Sequence, residues 1–343
     1  AATLAGCLSR LGFETETGRG APPVLEDRPD AVYYPTPVEG MQMVDMADAG
    51  DYTVGLTYSY PHRFWTVTGT DRQRVTIGDD DSVHLMATLW DPETEVVLPV
   101  GAGLTTTISR DGETVVEKPP WPMLSQNMGV HYGDNYALPG EGTYEVEVRV
   151  APAGTRLTGA FEGRFAESGT ASIELEFDRA KLEEIPYRQL PEQRGQPGAV
   201  NPMEMGMMPR SVLPTTEELP GRVLGEATSG DGRFVVTALD EPPSGVDAGG
   251  PYLAVSARTP HNGYPLPFMA LDATLSLDGS PTVDGALTPT LDPALGYHYG
   301  ATVDRLDGGG TLDLAVTAPP QVSRHEGYET AFLSMDPMTL SLG

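Results

Sequence analysis

Gly142-Thr143-Tyr144-Glu145-Val146-Glu147-Val148-Arg149-Val150-Ala151-Pro152 alternates apolar and charged residues between a glycine and a proline. That period of two is the mark of a strand with one face buried. The pattern returns as Gly310–Pro319, reading GTLDLAVTAP. Upstream of each copy lies a short His motif, Gly129–Gly133 (GVHYG) and Gly296–Gly300 (GYHYG). Further upstream, SRDG at Ser109–Gly112 matches SLDG at Ser276–Gly279. Val83–Val100 (VHLMATLWDPETEVVLPV) likewise matches Pro251–Phe268 (PYLAVSARTPHNGYPLPF). These anchors are collinear at a nearly constant spacing, so the chain is a tandem duplication of one domain with diverged copies. A repeat of this length is domain-sized rather than a solenoid unit.

Copy one is expected at residues 31–179 and copy two at residues 222–343. Residues 180–221 between them read as a Pro- and Met-rich linker opened by a short helix near Lys181–Ile185. Residues 1–30, rich in Gly, Pro, Glu and Arg, read as a flexible tether. Ile173, Leu175 and Phe177 alternate with Glu174 and Glu176, and Tyr52–Tyr58, Val83–Leu89, Phe234–Leu239 and Tyr252–Ala257 are further strands. Short strands punctuated by Gly, Asp and Pro predict an all-β chain of two tandem Ig-like antiparallel β-sandwich domains, with a barrel as the alternative.

The 343 residues hold 49 Asp plus Glu against 21 Lys plus Arg, a formal net charge of −28. So acidic a surface argues against nucleic acid as a partner, because phosphate binding needs a basic face. Only Lys118 and Lys181 are lysines, and a Lys-poor acidic coat is the dress of a halophilic protein at high salt. The single cysteine excludes an internal disulfide and a thiolate zinc cage. It stands in Leu4-Ala5-Gly6-Cys7, which has the form of a lipobox. Ala1–Gly6 then reads as the tail of a removed signal segment and Cys7 as the lipidation site. The expected location is the extracellular face of the cytoplasmic membrane, lipid-anchored.

Six histidines occur, and His131 and His298 hold equivalent repeat positions. His84 and Met86 share one face of a strand, and Met123 and Met128 precede His131. Imidazole and thioether are ligands for copper or iron. The competing reading is a turn motif with methionines as core filler. Met41/Met43/Met46 and Met203/Met205/Met207/Met208 are either copper-capturing tethers or apolar contacts. His62, beside Phe64 and Trp65, is a further metal candidate, and His261 falls in a turn.

Pro122-Met123-Leu124-Ser125-Gln126-Asn127-Met128-Gly129-Val130-His131-Tyr132-Gly133-Asp134-Asn135, followed by Gly142-Thr143-Tyr144, resembles the bacterial periplasmic iron-transport lipoproteins that act beside a high-affinity iron permease. Val83-His84-Leu85-Met86-Ala87 matches their upstream Val-His-Leu-Glu-Ala, and Pro319-Pro320…Arg324-His325 matches their Arg-His element. The resemblance covers most of copy one from about Met41 and copy two more weakly. It implies an Ig-like sandwich that dimerises, with metal near the interface. Carried over, the ligands are His84, Met123, His131 and, in the place of the partner-subunit histidine, His325 of copy two. Met86, Met128, His298 and His62 are additional candidates. The two copies then form an intramolecular pseudo-dimer with one competent site, and further oligomerisation stays open. The mirror site is degenerate, because Tyr252 replaces the first His, Arg156-Leu157 offers no second one, and Pro293 stands near the Met position. Met86 in place of the family's Glu shifts preference from iron toward Cu(I).

Three readings follow. The first is a lipoprotein that binds iron, with copper as the alternative ion, for uptake through an iron permease or other membrane metal transporter. The others are a copper-handling surface protein and a structural cell-surface sandwich with relic histidines. No Gly-x-Ser-x-Gly elbow, P-loop or His-Glu-x-x-His motif suggests an enzyme.

Overall fold

The computed structural model describes residues 22–101 and 103–342. Cys7 and most of the expected tether lie outside these residues. Copy one contributes β1 (Pro37–Glu39), β2 (Gln42–Ala49), β3 (Tyr52–Ser59), β4 (Phe64–Thr68), β5 (Asp71–Val75), β6 (Val83–Trp90), β7 (Leu104–Arg110) and β8 (Glu113–Lys118). It continues with β9 (Trp121–Ser125), β10 (Gly129–Tyr136), β11 (Gly142–Val150), β12 (Arg156–Leu157) and β13 (Gly169–Phe177). The helix α1 (Arg179–Glu183) and β14 (Tyr187–Gln189) follow. Copy two holds β15 (Arg222–Ser229), β16 (Gly232–Leu239), β17 (Tyr252–Arg258), β18 (Ala270–Leu277) and β19 (Ser280–Ala286). It ends with β20 (Thr288–Asp292), β21 (Gly296–Thr302), β22 (Gly310–Ala318), β23 (Ser323–Arg324) and β24 (Met338–Leu342). The fold is all-β, and its sheets are open rather than closed into barrels.

Each copy packs a four-stranded sheet against a larger one. The small sheets run β13-β11-β7-β8 and β19-β18-β22-β24. The alternating strand quoted first, β11, turns Tyr144, Val146, Val148 and Val150 inward and Glu145, Glu147 and Arg149 outward. The large sheets run β2-β3-β6-β10-β9-β23-β4-β5 and β15-β16-β17-β21-β20-β12. Even their irregularities repeat: a bulge at Met43/Asp45 of β2 has its equivalent at Val223/Gly225 of β15. The β4–β5 hairpin has no counterpart in copy two.

The copies exchange strands. β23 of copy two lies parallel to β9 of copy one, with Ser323 opposite Met123 and Arg324 opposite Leu124. Reciprocally, β12 of copy one lies parallel to β20 of copy two, with Arg156 opposite Thr290 and Leu157 opposite Leu291. The β4–β5 hairpin closes over β23 through Arg324–Trp65 pairing. Parallel pairing of two-residue strands cannot be made by a tight turn; it requires the other copy to arrive from elsewhere in the fold. One apolar cluster runs through both copies, so separating them would expose core.

β6 and β10 are buried on both faces. Leu85, Ala87 and Leu89 join the main core, as do Val130, Tyr132 and Tyr136. Residues of opposite parity, among them His84, Met86 and His131, therefore point to the outer face of the sheet. The linker helps cover that face: Met205 and Met208 are buried there, and the Met203 amide donates to the Asn127 carbonyl at 2.9 Å. Residues 22–30, the described end of the expected tether, are also seated. Arg28 pairs with Glu329 at 2.8 Å, and the Glu329 side chain is fully buried. No described helix is long and apolar enough to cross a membrane.

Candidate metal centre

The His motif of copy one is built by two glycines with different jobs. Gly129 opens β10 at φ 76°, a backbone region that favours glycine. Gly133 leaves an empty Cβ position that His84 Nε2 would approach to 2.9 Å and Met123 Sδ to 3.3 Å. The second glycine thus lets an imidazole nitrogen and a thioether sulfur converge over the sheet. Met123 lies directly across from His131 in the β9–β10 register, on the same face.

His325 enters from copy two on the exchanged strand. Its amide donates to the Leu124 carbonyl at 3.2 Å, and its Nε2 stands 3.4 Å from Met123 Sδ. Its ring centroid is 5.2 Å from that of His131 and 5.7 Å from that of His84. The turn behind it is clamped by Arg63–Glu326 at 2.6 Å and by the Thr36 amide donating to Glu326 at 2.9 Å. His62 completes the group, its ring tilted against that of His84 at 3.9 Å and that of His325 at 4.8 Å between centroids. Ligand atoms of His62, His84 and His325 all lie within 4.8 Å of one another.

The tautomers are set by hydrogen bonds on the far side of each ring. His84 Nδ1 donates to Asn135 Oδ1 at 2.8 Å, and His131 Nδ1 to the Gly129 carbonyl at 3.1 Å. His62 Nδ1 faces the Tyr60 carbonyl at 3.0 Å and Glu39 at 3.2 Å. Asn135 also grips the His62 backbone, accepting from its amide at 3.2 Å and donating to its carbonyl at 2.9 Å. The Nε2 atoms of His62, His84 and His131 are left buried and without partners. An unpartnered buried polar atom costs about 1–3 kcal/mol. Ligand atoms of His62, His84 and His325 drawn together, with the Met123 sulfur beside His325 and the His131 ring next to it, fit a metal ion that would satisfy the orphaned nitrogens.

Burial keeps the donors neutral. It lowers the His131 pKa to about 4, and it drives His84 and His325 well below the ordinary imidazole value, helped by neighbouring imidazoles. All three imidazoles are therefore neutral near pH 7.

Met86 and Met128 are buried beside this centre in a separate cluster with Trp90, Met205 and Met208. His298 lies elsewhere, in the mirror position of copy two. There Thr290, not Pro293, stands across from the histidine, because the β20–β21 register repeats that of β9–β10. Thr158 takes the place of His325: its amide donates to Leu291 at 3.1 Å as that of His325 does to Leu124. Tyr252, in the place of His84, donates its hydroxyl to His298 Nε2 at 3.1 Å and accepts from Arg156 Nη2 at 2.8 Å. His298 Nδ1 donates to the Gly296 carbonyl at 3.0 Å, so both its nitrogens are satisfied. A tyrosine and a guanidinium plug the mirror pocket. His261 is exposed in a turn.

Sequence reasoning gave Asn135 no role, although it stands in the motif block; its value shows only when the His62 loop folds back on it. The Arg156–Tyr252 plug was equally hidden, since Arg156 read only as a missing histidine.

A family model described as a domain of unknown function (DUF7350) matches residues 217–341. No curated protein matches the chain. Among solved structures, FetP of uropathogenic Escherichia coli strain F11 in its "as isolated" form is 17% identical, with a TM-score of 0.30. The alignment covers 40% of this chain and 95% of that one. A copper-bound glutamate-to-glutamine variant of the same protein is 19% identical, with a TM-score of 0.31, covering 40% and 97%.

Proposed function

We propose that this chain is an extracytoplasmic metal-binding protein that holds one copper ion between its two copies and passes it to a membrane metal transporter. His84, Met123, His131 and His325 are the ligands, with His62 as a fifth donor. The observation that carries this reading is the approach of ligand atoms of His62, His84 and His325 to within 4.8 Å of one another, with Met123 Sδ 3.4 Å from His325 Nε2. Bound metal would supply the charge that these neutral donors lack. All the converging donors are imidazole or thioether, a set that suits copper better than a hard-oxygen metal. Iron, the cargo implied by the motif resemblance, would have Glu39 beside His62 to draw on, while Glu326 beside His325 is already tied to Arg63. Lipidation at Cys7 would hold the protein at the outer membrane face, and the acidic coat would keep it soluble at high salt.

Elemental analysis of protein purified without chelators tests the reading. At least one copper per chain is expected; iron in its place would shift the cargo, and no metal would leave the scaffold reading.

A further inference from the structure

Seven of the chain's 13 methionines gather on one face of the copy-one sheet. Met86 and Met128 are buried there, with Met205 and Met208 from the linker packed over them. Met41, Met43 and Met46 on or beside the β2 edge border the same cluster. Gly55 leaves room for the Met208 sulfur against Trp90.

Methionine commonly fills irregular cores, so packing alone would be a sufficient account if the fold needed thioethers here. The duplication supplies the control. Copy two has an equivalent cluster, made of Leu219, Val235, Tyr252, Ala254 and Leu295 with Leu239 and Val246 against it. It contains no methionine. Ala254, across from Gly300, stands where Met86 stands across from Gly133. Leu295 precedes Gly296 as Met128 precedes Gly129. Val223 at the β15 bulge replaces Met43 at the β2 bulge. The same backbone is therefore packed by aliphatic side chains where the metal centre is plugged, and by thioethers where it is open.

Met41, Met86 and Met128 also line an open pocket whose wall includes His62 and His325. We propose that these three methionines form a second metal site, selective for Cu(I) and placed on the route to the histidine centre. Neutral thioethers favour a soft monovalent ion and give little to Cu(II) or iron. Glu39 at the same pocket would draw a cation in, while Glu326 there is neutralised by Arg63. The site binds copper already reduced, so no electron transfer is involved. It rests on the reading of the histidine centre as a copper site, but its donors are separate.

The test uses the full chain and reads Cu(I) by competition with a chromophoric chelator and Cu(II) by EPR. Wild type should bind two Cu(I) but one Cu(II). Met41→Leu/Met86→Leu/Met128→Leu, a volume-conserving change, should bind one Cu(I) and keep its Cu(II). His84→Ala/His131→Ala should keep one Cu(I) and lose Cu(II). Methyl-labelled wild type titrated with Ag(I), a redox-inert probe, should shift the Met41, Met86 and Met128 resonances. Two Cu(I) retained by the triple leucine variant, or Ag(I) shifts confined to Met123, would overturn the proposal. Loss of Cu(II) by wild type would instead sink the histidine centre.

Discussion

The two copies present the same pocket in two chemical states. In copy one, His84, Met123, His131 and His325 surround a locus where nitrogen lone pairs have no partner. In copy two, Tyr252, Thr290, His298 and Thr158 hold those positions, and Arg156 supplies the cation. His131 and His298 sit in matching backbone, bond the same carbonyl two residues upstream, and have pKa values lowered to about 4. What differs is the far nitrogen: open in one, accepting a tyrosine hydroxyl in the other. A duplicated fold can thus keep one copy of a site as chemistry and the other as a strut.

The largest expected contrast comes from deleting equivalent histidines. His131→Ala should weaken Cu(II) binding by more than about 100-fold, as loss of a ligand does. His298→Ala should leave copper binding unchanged but cost roughly 1–3 kcal/mol of stability, because the buried Tyr252 hydroxyl and Gly296 carbonyl lose their histidine partner. Isothermal titration and chemical denaturation of both variants read the two effects.

The contrast can also be inverted. Tyr252→His, Thr290→Met and Thr158→His together with Arg156→Ala should turn the strut into a site, raising bound Cu(II) from one to two per chain. No gain by EPR quantitation would mean that the plug residues are not what closes the second pocket.

Asn135→Ala tests orientation rather than ligation. It removes the hydrogen bond that fixes the His84 tautomer and frees the His62 loop, for an expected loss of about 10–100-fold in Cu(II) affinity. Copper should still bind at one equivalent, with a changed EPR nitrogen pattern.

Acid should affect the two equivalent histidines of the metal-free protein, His131 and His298, alike. Below an ordinary value of 6.5 the unfolded chain takes up protons that buried His131 and His298 accept only near about 4. Stability is therefore fully present above 6.5 and falls as pH drops toward 4, by about 1.4 kcal/mol per pH unit for each group. Thermal unfolding across that window should flatten by the same amount in His131→Gln and His298→Gln. Unequal flattening would show that the two pockets are not equally dry.

Much of this was legible in the chain itself. The alternation through Tyr144–Val150 fixed a half-buried strand, because side-chain period depends on local geometry alone. The paired HYG motifs located both pockets, and the Arg324-His325 motif pointed to a histidine that copy two brings beside His131. The strand exchange left little trace, since β12 and β23 are two residues each and hydrogen-bond only to distant sequence. His62 carried no motif; its place depends on Asn135 gripping its backbone. Thr290 was missed for Pro293 because register, not spacing, decides which residue faces a histidine.

The central claim is one Cu(II) centre per chain, completed by the histidine that copy two donates. Quantitative Cu(II) EPR on wild type, His325→Ala and its mirror variant Thr158→Ala tests it most directly. The account predicts one equivalent, little or none, and one equivalent. Full binding by His325→Ala, or two equivalents in wild type, would contradict it.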